Sequence, residues 1–336
     1  MLARRCLVGQ STQHPQVNIL STLELFGGIV VRTHGGHYYV QADSRLVDCS
    51  LRGRMRKERV RADLVVIGDR VRWSPTVEGT GIIEEVLPRK SVLARAAPPS
   101  RPLKEAARYK PAAETLEQQV IVANLDQVLV VFSVHNPTPN PLMLDRYLVA
   151  CEAVELPMVV VVNKMDLLEE DEERDVLALY RRLGYDVHYT SAVALQGLEG
   201  LRAVLRGKLS VLAGPSGVGK SSLLNALWPV LQRKVGEISE ARDRGKHTTV
   251  VSQLLQPDPD TYVADTPGMR QFRFWDIDPE QLDAFFPEMR PHIGKCRFSP
   301  CTHIHEPGCA VMVAVEQGEI DPLRYESYCR MFEHGF

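Results

Sequence analysis

Asn163-Lys164-Met165-Asp166 closes the apolar run "PMVVVVNKMDLL" (residues 157–168) and has the N-K-x-D form that reads guanine. A carboxylate at Asp166 accepts hydrogen bonds from the guanine N1–H and 2-amino group, a donor pair that adenine does not present. Asn163 would brace neighbouring loops, and Lys164 would lie along the plane of the base. Further on, "TSA" (190–192) follows the strand-like "DVHYT" and would offer backbone N–H groups around Ser191 and Ala192 to guanine O6.

A second chemistry-bearing stretch is Gly214-Pro215-Ser216-Gly217-Val218-Gly219-Lys220-Ser221-Ser222, which fits G-x-x-x-x-G-K-[ST] without a mismatch. The apolar "KLSVLAG" before it and "SSLLNALW" after it predict a strand and a helix, the setting such a loop requires. Its backbone N–H groups and the helix start would form an anion cradle. Lys220 would neutralise β and γ oxygens of a triphosphate, and Ser221 would give its hydroxyl to Mg²⁺.

Two weaker motifs belong with these. In "TYVADTPGM", Asp265 at a strand end would hold Mg²⁺ through water, while the Gly268 N–H faces the γ-phosphate. In "GKHTT" (245–249), Thr248 or Thr249 would add an oxygen to the same ion when nucleotide orders the segment. The order is unusual, because the guanine reader precedes the phosphate loop by about fifty residues, where ordinary GTP-binding domains begin with that loop. Sites in open α/β sheets are built at the carboxyl ends of strands, so the same geometry survives when old termini are joined and new ones opened. The order therefore implies a circular permutation.

The third cluster is Cys296-x4-Cys301-x-His303-x5-Cys309. Three thiolates and an imidazole in one compact loop suit a closed, tetrahedral, structural zinc site. His305 is a substitute ligand or an outer residue. The loop is too short for a core of its own, so the metal is expected to supply much of the folding energy beyond Met289.

The elements that must position these residues divide the chain into five stretches. Residues 1–23 form a tail with Arg4 and Arg5 and no acidic residue, which a flexible segment, a transit peptide or a mis-called start would all show; the flexible tail is the reading adopted. Residues 24–95 read as short strands, "GIVVRT", "HYYVQA", "RLVDCSLRG", "RVRW" and "GIIEEVLPR", and predict a β-barrel of the OB type. Tyr38, Tyr39 and Trp73 either fill that barrel or interleave with basic residues as in single-strand nucleic-acid binders. The run 52–61 carries Arg52, Arg54, Arg56, Lys57, Arg59 and Arg61 against Glu58 alone, a candidate RNA-binding patch. The Pro- and Ala-rich 96–113 reads as a linker, 114–285 as alternating strands and helices around a parallel sheet, and 286–336 as the zinc-binding domain with helices.

Bulk composition narrows the class. Across 336 residues the net charge is −2, so any affinity for nucleic acid must come from a local patch. The apolar runs are far shorter than the roughly 20 residues that span a bilayer. Seven cysteines, three of them crowded, fit a reducing compartment better than a disulfide framework.

The combination of "LDRYL" (144–148), "NKMDLL", "GPSGVGKSSLLN", "GKHTT", "DTPG" and the Cys-Cys-His-Cys loop ending in "EPGCAV" resembles the ribosome small subunit-dependent GTPase A family of circularly permuted GTPases, from about residue 24 onward. That resemblance implies an OB domain, a permuted GTPase domain and a zinc domain. It implies GTP hydrolysis to GDP and phosphate, stimulated by the small (30S) ribosomal subunit late in its maturation, with 16S rRNA as a partner. One zinc per chain, Mg²⁺ with GTP, a cytoplasmic location and a monomeric state complete the expectation. Met269 stands where small GTPases use a glutamine to orient the attacking water. His247 of "GKHTT" is the nearest polar substitute, and the equivalent histidine of the resembling family is implicated in hydrolysis. Rival readings are a P-loop GTPase of tRNA modification or metabolism, and an RNA-binding switch in which hydrolysis is incidental.

Overall fold

The computed structural model describes residues 25–43, 45–53, 65–77, 79–96, 118–169, 178–229, 253–265 and 277–335. Five strands, β1 (Phe26–His34), β2 (His37–Ala42), β3 (Arg45–Leu51), β4 (Arg70–Pro75) and β5 (Gly81–Val86), follow the order β1-β2-β3-β5-β4, and β4 pairs back to β1 to close the expected barrel. Alternation places Val30, Tyr38, Val40, Cys49, Val71, Trp73 and Ile83 inside. Tyr38 and Trp73 are therefore core fillers, while Tyr39 points away from that core and lies 3.7 Å beneath the Arg32 guanidinium. Of the basic run, Arg52 is exposed and ion-pairs with Glu84 at 2.7 Å. Arg54, Arg56, Lys57, Arg59 and Arg61 lie outside the described residues.

Two strands, β6 (Val92–Ala96) and β7 (Gln118–Ala123), form an antiparallel ribbon beside the barrel rather than part of it. The ribbon fastens the barrel to the segment that enters the central sheet. Ala123 N–H donates to Ile67 at 2.9 Å, and the Asn124 side chain donates to the Gly68 carbonyl at 2.9 Å while accepting from Lys90 N–H at 2.9 Å. Arg89 pairs with the fully buried Asp69 at 2.8 Å close by.

The central sheet contains β8 (Gln127–Ser133), β9 (Met158–Asn163), β10 (Asp186–Tyr189), β11 (Leu209–Ala213), β12 (Gln253–Asp258) and β13 (Thr261–Asp265), in the order β10-β9-β8-β11-β13-β12. All pairs are parallel except β12 with β13. Strands buried on both faces read as unbroken apolar runs, and β8 and β11 are buried at every residue. Helices α1 (Pro141–Ala153) and α2 (Ala178–Arg182) cover one face, and α3 (Leu198–Leu205) and α4 (Lys220–Leu227) cover the other. Among the described residues one pair, Arg32 of β1 with Gln253 of β12, joins barrel and central sheet into eleven continuous strands.

Beyond Ile277 come the short 3-10 turns Pro279–Phe285 and Arg290–His292, then α5 (Ala310–Glu316) and α6 (Pro322–His334). This part has an apolar core after all, formed by Phe286, Met289, Val311, Ala314, Ile320, Tyr328 and Met331 with Val149 of α1. A buried ion network crosses the same boundary. Arg324 of α6 reaches Asp145 of α1 at 2.5 Å and Glu288 at 2.6 Å, and Tyr180 O–H donates to Asp145 at 2.9 Å. Burial works against the Arg324 charge, and the two carboxylates more than restore it, so its pKa is raised. Removing one member of such a network strands the others: Arg324→Ala should cost about 3–5 kcal/mol in denaturation, and a volume-matched triple replacement of Arg324, Asp145 and Glu288 by apolar residues much less. Equal losses for both would show that packing rather than stranded charge sets the cost.

Candidate functional site

The parallel register aligns the carboxyl ends of five strands. Ser133 of β8 pairs with Asn163 of β9, Val162 of β9 with Tyr189 of β10, Val130 of β8 with Ala213 of β11, and Val211 of β11 with Ala264 of β13. The segments carrying N-K-x-D, "TSA", the phosphate loop and Asp265 thus emerge along one edge, although as much as 102 positions separate Asn163 from Asp265.

Asn163, 1 % exposed, ties them together. Its amide donates to the Val218 carbonyl in the phosphate loop at 2.9 Å, and its side-chain oxygen accepts from Thr190 Oγ1 and Ala192 N–H, both at 3.3 Å. One side chain thus bonds both the phosphate loop and the "TSA" loop. Gly219 must be glycine for this reason: its φ is +94°, and a Cβ there would stand 2.4 Å from the Asn163 amide nitrogen. At the other end of the loop, Gly214 has φ +128°, and a Cβ would lie 2.1 Å from the Val131 carbonyl oxygen of β8.

Lys220 opens α4 and folds back over the loop, donating to the carbonyls of Gly214 at 2.8 Å and Pro215 at 2.6 Å. An ammonium held at the centre of a loop of N–H groups is placed to meet phosphate oxygens. Ser216, Gly217, Ser221 and Ser222 are exposed and Val218 is buried beneath them, so the hydroxyls of Ser221 and Ser222 face outward at the helix start.

On the base side, Asp166 lies in the 3-10 turn Met165–Leu167 and accepts from the Ser191 hydroxyl. Ser191 is fixed in turn: its N–H and carbonyl both bond Gln196 at 3.0 Å, and its hydroxyl accepts from Ala194 N–H at 2.9 Å. Lys164, in the left-handed region at φ +65°, sends its ammonium to the Asn136 carbonyl. Asn136 belongs to the loop 134–140 after β8, which sequence reasoning missed; its Asn- and Pro-rich text after a buried strand end was the available signal. Asp265 terminates β13 beside β11. Gly268, His247, Thr248 and Thr249 lie outside the described residues.

The cysteine cluster forms a separate centre. Sγ of Cys296, Cys301 and Cys309 and Nδ1 of His303 all lie within 4.8 Å of one another. Cys296 is 3.8 Å from Cys309 and 3.5 Å from His303 Nδ1, and His303 Nδ1 is 3.3 Å from Cys309. A tetrahedral ion with Zn–S of about 2.3 Å needs edges of about 3.8 Å, so the four atoms can hold one. Burial pushes the Cys301 thiol up to about 12 and raises Cys309, so a cation would favour the thiolate form of both. His303 Nε2 meets Asp283 Oδ2 at 3.2 Å, which orients the ring; that carboxylate, 20 positions upstream, had no sequence signal. His305 is exposed and outside the cluster.

Parallel sheet, phosphate loop, an N-K-x-D segment placed ahead of it in the chain, barrel and a tail whose Cys3His cluster can hold a metal together define a circularly permuted P-loop GTPase. The RsgA GTPase family model matches residues 86–275 and the RsgA N-terminal domain model residues 27–83, so the chain belongs to the RsgA GTPase family. It is 41 % identical over 307 residues to the Small ribosomal subunit biogenesis GTPase RsgA of Gemmatimonas aurantiaca, covering 90 % of this chain and 95 % of that one. Identity to the protein of the same name from Thermotoga maritima is 42 % over 310 residues, covering 91 % and 95 %. Among solved structures, YjeQ from Thermotoga maritima superposes with a TM-score of 0.72 at 38 % identity, covering 93 % of this chain and 99 % of that one. YloQ, described as a circularly permuted GTPase, gives 0.70 at 30 % identity, covering 96 % and 98 %. Among the described residues no helix is long and apolar enough to cross a membrane.

Proposed function

We propose that this GTPase binds the small ribosomal subunit, acts late in its maturation and uses GTP hydrolysis to time its own release. The observation that carries the nucleotide half is the Asn163 side chain, which bonds the phosphate loop and the "TSA" loop at once and makes one site of motifs in permuted order. Family membership, with relatives named for small ribosomal subunit biogenesis, supports the other half.

In this reading Asp166 recognises guanine with Ser191 and Ala192, and residues 214–222 hold the phosphates. Ser221 and Thr249 ligate Mg²⁺ with Asp265 acting through water, and Gly268 faces the γ-phosphate. His247 guides the attacking water. Zinc occupies the Cys3His centre as a structural ion. The barrel, about 24–95, and the zinc domain, about 286–336, contact 16S rRNA on either side of the GTPase domain, about 114–285, with Arg52, Arg54, Arg56, Lys57, Arg59 and Arg61 contributing from the barrel. The protein works as a monomer in the cytoplasm.

GTP turnover measured alone, with purified small subunits and with tRNA tests the reading. Stimulation by the subunit only is expected. Stimulation by tRNA instead would favour a tRNA-modification role, and none by either would favour the RNA-binding switch. On the base, Asp166→Asn should weaken GTP on the order of 100-fold, two hydrogen bonds to a charged acceptor being lost, and favour xanthosine triphosphate, whose extra oxygen accepts from the new amide. Unchanged selectivity in a nucleotide-competition assay would remove Asp166 from the base site.

A further inference from the structure

The loop 134–140 after β8 touches both halves of the nucleotide site and contains no motif that would advertise it. Val134 N–H donates to the Asn163 carbonyl at 3.0 Å, extending the register of β8 on β9 beyond the sheet. Ser133 Oγ then bonds the Pro137 carbonyl at 2.8 Å and folds the loop back towards the phosphate loop. Pro137 arrives over Gly217, where an added Cβ would sit 3.6 Å from its Cδ. The Lys164 side chain runs past Gly219, with Cε 3.9 Å from where a Cβ would stand, and its ammonium reaches the Asn136 carbonyl. One side chain thus spans the phosphate loop, anchored at its far end by a carbonyl of the loop after β8.

What aims that carbonyl is the backbone of Asn136. Its φ of +49° lies in the left-handed region, which asparagine and glycine tolerate and β-branched residues do not. An exposed asparagine whose own side chain is not needed by the contact is otherwise an ordinary loop residue. Here its conformation decides where the Lys164 charge rests. We infer that Asn136 is a positioning residue for guanine-nucleotide binding: by holding the left-handed turn before Pro137, it presents the carbonyl that fixes Lys164 across the phosphate loop. This rests on the reading of Lys164 as a base-plane residue.

The test is nucleotide dissociation from the full-length protein, followed with a fluorescent GDP. Asn136→Val, which disfavours the left-handed turn, should speed dissociation about tenfold, the size of a lost hydrogen bond to a charged group. Asn136→Gly, which keeps the turn, should stay within about twofold of the parent. In a Lys164→Ala background, Asn136→Val should add less than about twofold, because the partner it positions is gone. The inference is overturned if Asn136→Val leaves dissociation unchanged, if the glycine variant is as impaired as the valine variant, or if the valine effect persists undiminished without Lys164. A failure of the underlying reading is separate: Lys164→Ala would then itself leave GDP dissociation at the parental rate.

Discussion

Stripping the metal from Cys296, Cys301, His303 and Cys309 with a chelator is expected to open residues 296–313 while GDP affinity stays within about twofold. Apart from the metal, the loop is held chiefly by hydrogen bonds and by the packing of Cys309 and Val311 in the adjoining core. Its backbone is pinned by the Tyr325 hydroxyl on the His303 carbonyl at 2.7 Å, the Tyr328 hydroxyl on the Thr302 carbonyl at 2.8 Å and the Glu306 carboxylate on Thr302 N–H at 2.9 Å. Desolvation raises the Cys301 and Cys309 thiols, so without a cation those two lose the electrostatic reason for converging as thiolates. Apparent binding energies of about 10–16 kcal/mol in zinc-dependent peptides show how much one such ion can contribute. Cys309 is also the cap residue of α5, so that helix should fray with the loop.

The extent of that unfolding is where structure changes the expectation. From sequence, everything beyond Met289 should depend on the metal, because the cysteine loop alone cannot bury a core. The core exists, but its residues come from Phe286, Met289 and Ile320, from two helices and from Val149, 147 positions before Cys296. With Arg324 anchored on Asp145 and Glu288, α6 should keep its hydrogen-exchange protection after chelation. Loss of protection throughout 286–334 would mean that the metal, not this core, holds the region. Full retention of protection in 296–313 would deny the metal any folding role.

The same contrast explains what could be read in advance. The strand-loop-helix around residues 214–222, the strand ending in N-K-x-D and the cysteine cluster were legible because each is local: a few residues at fixed spacing, with flanking periodicity that names the element supporting them. The Asp145–Arg324 pair was not, because it joins positions 179 apart and neither residue type announces a buried partner. The ribbon of β6 and β7 was hidden for another reason: short alternating runs such as 92–96 suit a barrel strand and a satellite ribbon equally, and only pairing decides. Tyr38 and Trp73 posed an ambiguity of residue type, core filler or stacking platform, which only the direction of each side chain in the closed barrel resolves.

His247→Ala should retain GTP affinity and subunit binding but lose about 100-fold or more of subunit-stimulated turnover, the range expected when a positioned proton-transfer or water-orienting group is removed. Met269 comes directly after "DTPG", where a glutamine would orient water, and a thioether cannot take that role. The guide must come from another segment, and "GKHTT" places a histidine beside threonines that Mg²⁺ and the γ-phosphate would order. Topology adds a reason for a partner to matter. Gln253 of β12 lies six positions after His247 in the sequence, and it pairs with Arg32 of the barrel, the one strand pair among the described residues that joins barrel to central sheet. A partner that held the barrel would therefore bear directly on Gln253 of β12. Lys220→Ala should differ in kind, losing nucleotide binding as well as turnover, because its ammonium sits inside the phosphate loop. Single-turnover hydrolysis with saturating subunits separates the two variants. Near-normal stimulated hydrolysis by His247→Ala would return that histidine to the surface and leave the water to be oriented by a group of the subunit itself.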